Sequence, residues 1–179
     1  MSLTSAEHNA ELQRIGDLLA KEAYQIEMVP ASDLVPYDRL LLRLESFEEK
    51  NRVWRLELSY LPALEKELDN VSILQCFVAL LDGSADEHRH SLSQLIVKVN
   101  VKLPIGCFGF LDNPGTLFFK HNAMLPNDNN PGNYQVIREL VPMTAYLITT
   151  FSESLIQVAT GQRTIEEAMA DMPFSNVFG

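Results

Sequence analysis

Basic residues are scarce in this chain: 14 Lys and Arg stand against 24 Asp and Glu in 179 residues, a formal net charge of -10. Such a surface repels the phosphate backbone that supplies most nucleic-acid affinity, so nucleic acid is excluded as the expected partner. Long apolar runs are missing as well. No stretch of about 18 apolar residues is present, and the N-terminus lacks a basic segment followed by an apolar one, so neither a membrane span nor a secretory leader is expected. The expectation is a soluble, cytoplasmic protein without a membrane partner. Cysteine is limited to Cys76 and Cys107, both in apolar runs, which fits buried reduced thiols better than a disulfide framework. Low-complexity tracts and internal repeats are lacking.

Recognised catalytic spacings are missing too: there is no Gly-x-Ser-x-Gly, no Cys-x-x-Cys, no His-Glu-x-x-His and no Asp-x-Asp-x-Asp-Gly calcium loop. No catalytic residue, metal ligand or cofactor is assigned, and a non-catalytic protein is expected. What is present is an ordinary globular composition, 46% hydrophobic and 21% charged. At this length roughly 70% of the unfolded surface is buried in one core. Residues 1–179 read as a single domain, with a core over 1–160 and a C-terminal helical extension and tail over 161–179.

Thr4 and Glu7 have capping-box spacing, and Leu12, Ile15, Leu18 and Leu19 carry a helical repeat to about Tyr24. Pro30 and Pro36 then mark a connecting loop. Leu40, Leu42 and Leu44 alternate with Arg39, Arg43 and Glu45, interrupted by Leu41, and predict a half-buried strand over 39–46. Trp54, Leu56, Leu58 and Tyr60 alternate with Arg55, Glu57 and Ser59, and a polar turn over 48–51 joins the two strands as a hairpin. Residues 62–68 are left unassigned. The nearly continuous apolar run over 72–81 predicts a central strand buried on both faces. Ser84 and Glu87 repeat the capping-box spacing, and Leu92, Leu95, Ile96, Val99 and Leu103 define a second amphipathic helix that Pro104 ends.

Residues 105–111 and 116–124 predict another hairpin, turned by Asn113-Pro114-Gly115-Thr116 and containing a bulge or a longer loop. A polar loop over 127–133 precedes a helix over 134–160, which Pro142 should kink or divide. Gly161 suits the helix end, Thr164 with Glu167 starts a last short helix, and the apolar tail over 173–179 should dock on the body or on a second subunit. The fold class is therefore α+β: a five-stranded antiparallel sheet with helices packed on one face, in the order α-β-β-β-α-β-β-α.

Chemistry-bearing residues are few. His88 and His90 lie two apart, the wrong spacing for one helical face. His121 sits in a strand with no nucleophile or carboxylate at a recognised spacing. Asp82, Asp86 and Glu87 read as helix-start acids rather than metal ligands. Gly106 and Gly109 fall inside a strand, not between a strand and a helix, so no phosphate cradle is formed. Arg39, Arg43 and Arg55 are more informative. They fall on the polar side of the first hairpin in an acidic protein, either as a solvated face paired to Glu45 and Glu57 or as a partner-facing surface with Trp54 and Tyr60 as nearby anchors.

The run Leu103-Pro104-Ile105-Gly106, then Phe108, Leu111-Asp112, the turn to Gly115, Leu117, Phe119-Lys120 and Leu125-Pro126 resembles the YbjN-like family of bacterial proteins. That family lies within the type III secretion chaperone-like superfamily, and the element order over about 5–160 is similar. The resemblance implies a cytoplasmic, acidic, usually homodimeric binding protein without a cofactor, which holds a client or partner protein segment. The functional expectation is a chaperone-like protein-protein interaction module. The alternative is a small-ligand-binding protein with a pocket between sheet and helices lined by Trp54, Phe77, Phe108 and Phe110. An enzyme centred on His121 and distant carboxylates is the third possibility.

Overall fold

The computed structural model describes residues 3–33, 35–45, 52–65, 67–83, 86–113, 115–127 and 131–172. Helix α1 spans Ser5–Lys21, and the Thr4/Glu7 capping box forms: the Glu7 amide donates to the Thr4 hydroxyl at 3.3 Å, and the Thr4 amide donates to the Glu7 carboxylate at 2.7 Å. These donors hold the Glu7 carboxyl below the usual carboxylate range. The apolar stripe of α1, Leu12, Ile15 and Leu19, is fully buried. Gly16 lets the helix approach the sheet closely, since a Cβ there would lie 3.2 Å from the Leu40 side chain.

Among the described residues the sheet has six strands rather than five. Strand β1 (Ile26–Val29) lies in the expected connecting loop, and β2 (Arg39–Glu45), β3 (Val53–Tyr60), β4 (Val71–Leu81), β5 (Cys107–Leu111) and β6 (Thr116–Pro126) complete the order β1-β2-β3-β4-β6-β5. All neighbours are antiparallel. Four residues are too few to show a period, so β1 is a strand because β2 offers it a ladder. Strand β4 is central in the sheet, but only one of its faces is fully buried: Ser72, Leu74, Cys76 and Val78 are buried, while Ile73, Gln75 and Phe77 are half-exposed.

A short helix α2 (Pro62–Glu65) with Pro at its first position occupies part of the unassigned segment. Helix α3 (Arg89–Asn100) begins later than its spacing suggested, after a 3-10 turn at Asp86–His88. Its N-cap, His88, makes no side-chain capping bond, and Ser84 lies outside the described residues. The 48–51 turn, Pro114 and the 173–179 tail also lie outside them. Helix α4 runs unbroken over Pro131–Ala159, starting at Pro131 rather than after the polar loop. Pro142 does not divide it, because Pro142 and Arg138, whose carbonyl loses its helical donor, both lie on the exposed side. Helix α5 (Ile165–Ala170) is boxed by Thr164 and Glu167, as spacing predicted, and packs on α3 and α4 with Ala168 buried.

Helices α1, α3 and α4 all cover the same sheet face. Leu40, Leu42, Leu56, Leu58, Leu74 and Val78 meet them from the sheet, and Ile137, Val141, Ile148, Phe151 and Leu155 of α4 meet the sheet in turn. Phe108 packs edge-on against Phe119 and Phe151, with centroids at 5.2 and 6.3 Å. The opposite sheet face carries none of these helices.

Candidate partner-binding site

Strand alternation divides the first hairpin. Trp54 and Tyr60, only 6% and 4% exposed, join Leu56 and Leu58 on the helix-covered face. Arg39, Leu41, Arg43, Val53, Arg55 and Glu57 take the other face. The expected grouping of Arg39, Arg43 and Arg55 with Trp54 and Tyr60 therefore separates by side-chain parity. The arginines and the two aromatic residues stand on opposite sides of the sheet.

Arg43 and Arg55 are direct register partners, and both are exposed. The Arg43 amide donates to the Gln25 carbonyl at 3.0 Å, on the side of β1. Its pairing with Arg55 is consequently the non-hydrogen-bonded kind, in which facing side chains stand closest. Two like charges in that position oppose folding. Arg39 donates to Glu57 at 3.4 Å, while Arg55 has no hydrogen bond or ion pair to a described residue. Leu41 occupies an outward position on β2, yet is only 7% exposed. With Gln25, Glu27, Arg43, Val53 and Arg55 it lines a hollow of about 500 Å³.

Farther across this face, Phe77 stacks on Phe118 with centroids 5.4 Å apart, and the Phe118 ring lies over Gly109, which has no Cβ to displace it. Met124 and Val53 are 61% and 47% exposed. The face thus combines cationic and apolar groups.

A second polar cluster was not legible as a site in the sequence. His8 stacks on Tyr60 at 4.6 Å, its Nε2 lies 3.4 Å from Ser72 Oγ, and Ser72 donates to Asn127 Oδ1 at 2.6 Å. Asn133 donates to the Pro126 carbonyl at 2.7 Å. These bonds tie α1, β4, the end of β6 and α4 together. A small hollow of about 190 Å³ lies beside His8 and Tyr60, bounded by Tyr37 and Asp38. Asp38 accepts from the Ala31 amide and the Asn9 side chain, so its oxygens serve the loop. The only sequence signal was His8 itself, which precedes Leu12, Ile15 and Leu19 on the apolar stripe of α1.

The strongest pairing of catalytic residue types is Cys76 opposite His121 in the β4–β6 register. Burial pushes the Cys76 thiol up to about 12 and the His121 imidazole down. A nucleophilic cysteine needs the opposite shift. Burial thus disfavours the charged form of both groups. His90 meets Gln94 and His88 meets Glu87, while Asp82 accepts from the Thr116 hydroxyl at 2.6 Å. Among the described residues no group of three or more His, Cys, Asp or Glu side chains is placed to hold a metal. No helix among them is long and apolar enough to cross a membrane.

Trp54, Phe77, Phe108 and Phe110 do not share one cavity wall, because Phe77 faces away from α1, α3 and α4 while Trp54 and Phe108 are buried beneath the helices. No family model matches this chain, and no curated protein matches it.

Proposed function

We propose that the protein is a non-catalytic interaction module that holds a segment of a client or partner protein on the open face of its sheet, in the manner of a chaperone. The observation that carries this reading is the facing pair Arg43 and Arg55 beside the exposed Val53, on a sheet face that α1, α3 and α4 do not cover, in a molecule of net charge -10. Arg55 has no hydrogen bond or ion pair to a described residue, and a bound acidic or polar segment would supply one. The reading requires no cofactor and sets the chain beside the YbjN-like, type III secretion chaperone-like proteins, on the strength of the run from Leu103 to Pro126. It places the protein in the cytoplasm as a homodimer. Val136, Met143 and Tyr146 of α4 are exposed, and a dimer contact at these residues would leave the sheet face available.

A photo-crosslinking amino acid at position 55, compared with one at Val97 on the exposed side of α3, tests the reading in the native host. Protein adducts should form from position 55 and diminish in an Arg39→Ala, Arg43→Ala background. Adducts from position 97 alone would remove the sheet face from consideration. Turnover of any substrate that is abolished by His121→Ala in a folded protein would replace binding with catalysis.

A further inference from the structure

We infer that the outer edge of β1 is a separate binding site, which takes an extended segment of another protein as an added antiparallel strand with a basic residue facing Glu27. This contact lies outside the sheet face proposed above and does not depend on it. Its ground is an open row of backbone groups. The Arg43 amide donates to the Gln25 carbonyl, so residues 25, 27 and 29 bond to β2, and the N–H and C=O groups of Ile26 and Met28 point away from it. These groups make no hydrogen bond to a described residue. The opposite edge of the sheet differs, because the Asn100 side chain occupies both the N–H and the C=O of Phe108 on the outer side of β5.

A second copy of this chain fits the edge badly. Two-fold pairing of β1 with itself through both Ile26 and Met28 centres on Glu27 and sets two glutamates in the closest cross-strand position. Centring it on Met28 brings Ile26 opposite Pro30, which has no N–H. Centring it on Ile26 brings Met28 opposite Tyr24, whose N–H already donates to the Leu19 carbonyl at 3.2 Å. A different segment avoids all three conflicts. Glu27 sets the chemistry of that segment. Its carboxylate is exposed and makes no hydrogen bond or ion pair to a described residue, its register partner is Leu41, and the nearby Arg39 is engaged by Glu57. Because Glu27 bonds to β2, the residue facing it on the added strand takes the non-hydrogen-bonded position, where a Lys or Arg side chain meets it most closely. The net charge of -10 attracts a basic segment as well. The residues on either side face Ile26 and Met28, both half-buried against the core, and apolar side chains there continue its margin.

The test adds the acetylated, amidated pentapeptide Thr-Val-Lys-Val-Thr to the isotope-labelled full chain and follows backbone amides by NMR. The Ile26 and Met28 amides should shift and exchange their hydrogens more slowly, while the Glu27 amide, already bonded to β2, should change little. N-methylation of either Val, whose amides meet the edge, should abolish binding, and N-methylation of the Lys should not. Gln in place of Lys should weaken binding about threefold, and Glu more. Glu27→Lys should reverse that order, a result that unfolding does not produce. Unchanged Ile26 and Met28 amides at millimolar peptide, equal sensitivity to methylation at Val and Lys, or a charge-blind series overturns the inference. Slow exchange of both amides without peptide, lost on dilution, would assign the edge to a second copy of this chain and also overturn it. Crosslinking from position 55 reads the other surface, so the open-face reading stands or falls separately.

Discussion

Leu41 and Leu42 are neighbours in sequence with different fates. Leu42 is fully buried under α1, and Leu42→Ala should cost about 2–5 kcal/mol, as for other buried leucines. Leu41 lies under surface side chains that can close over a smaller residue, so Leu41→Ala should cost about 1 kcal/mol. Urea denaturation of the two variants compares them directly. Cys76 makes a pH-dependent contribution of predictable sign. Above its ordinary value of 9.0 the unfolded chain releases a proton that the native thiol keeps until about 12. Stability should therefore fall with rising pH across that window, by about 1.4 kcal/mol per pH unit from this group. Cys76→Ala should lower the baseline and flatten that slope in unfolding titrations. All three read as apolar strand positions in the sequence. Alternation gave the directions of Leu41 and Leu42, whereas the continuous apolar run around Cys76 gave none, and the layer covering each came only from the fold.

At the level of elements, the cap-defined helices were the most legible. Thr4 with Glu7 and Thr164 with Glu167 form their bonds three residues apart, so sequence contains the whole interaction. Thr164→Ala should detach α5, measured as faster hydrogen exchange at Ala168 with little change in the sheet. Glycines at element ends separate conformation from packing. Gly83 and Gly106 both have positive φ, +72° and +67°, but a Cβ at Gly83 meets open space, whereas one at Gly106 lies 2.9 Å from the Lys120 carbonyl and inside contact with the Phe119 ring. Both Ala variants incur the left-handed strain of about 1 kcal/mol. Gly106→Ala should lose substantially more, visible as a lower Tm. Asn100 is another element-scale device invisible in a linear reading. Its side chain donates to the Phe108 carbonyl at 2.9 Å and accepts from the Phe108 amide at 2.8 Å, occupying backbone groups of an edge strand. Asn100→Ala should destabilise the fold by about 1–3 kcal/mol and promote self-association through β5 on light scattering.

For the whole molecule, the exposed α4 stripe and the open sheet face predict separable properties. Met143→Lys with Tyr146→Lys should shift the sedimentation mass toward the monomer and leave crosslinking from position 55 in place. The sequence by itself determined the α+β class, two capping boxes, most strands and the side of the hairpin on which Arg39, Arg43 and Arg55 fall, because these depend on spacings of two to four residues along one chain. It could not supply β1, whose four residues become a strand by pairing with β2, or the His8–Ser72–Asn127 network, whose first two members are 64 residues apart. Nor could it bring Arg43 opposite Arg55, which depends on register across the hairpin. Tertiary structure decided which sheet face the helices cover. That choice buried Trp54 and Tyr60 and left the arginines on the face that α1, α3 and α4 do not cover, because packing three apolar helical stripes on one side of the sheet satisfies the core.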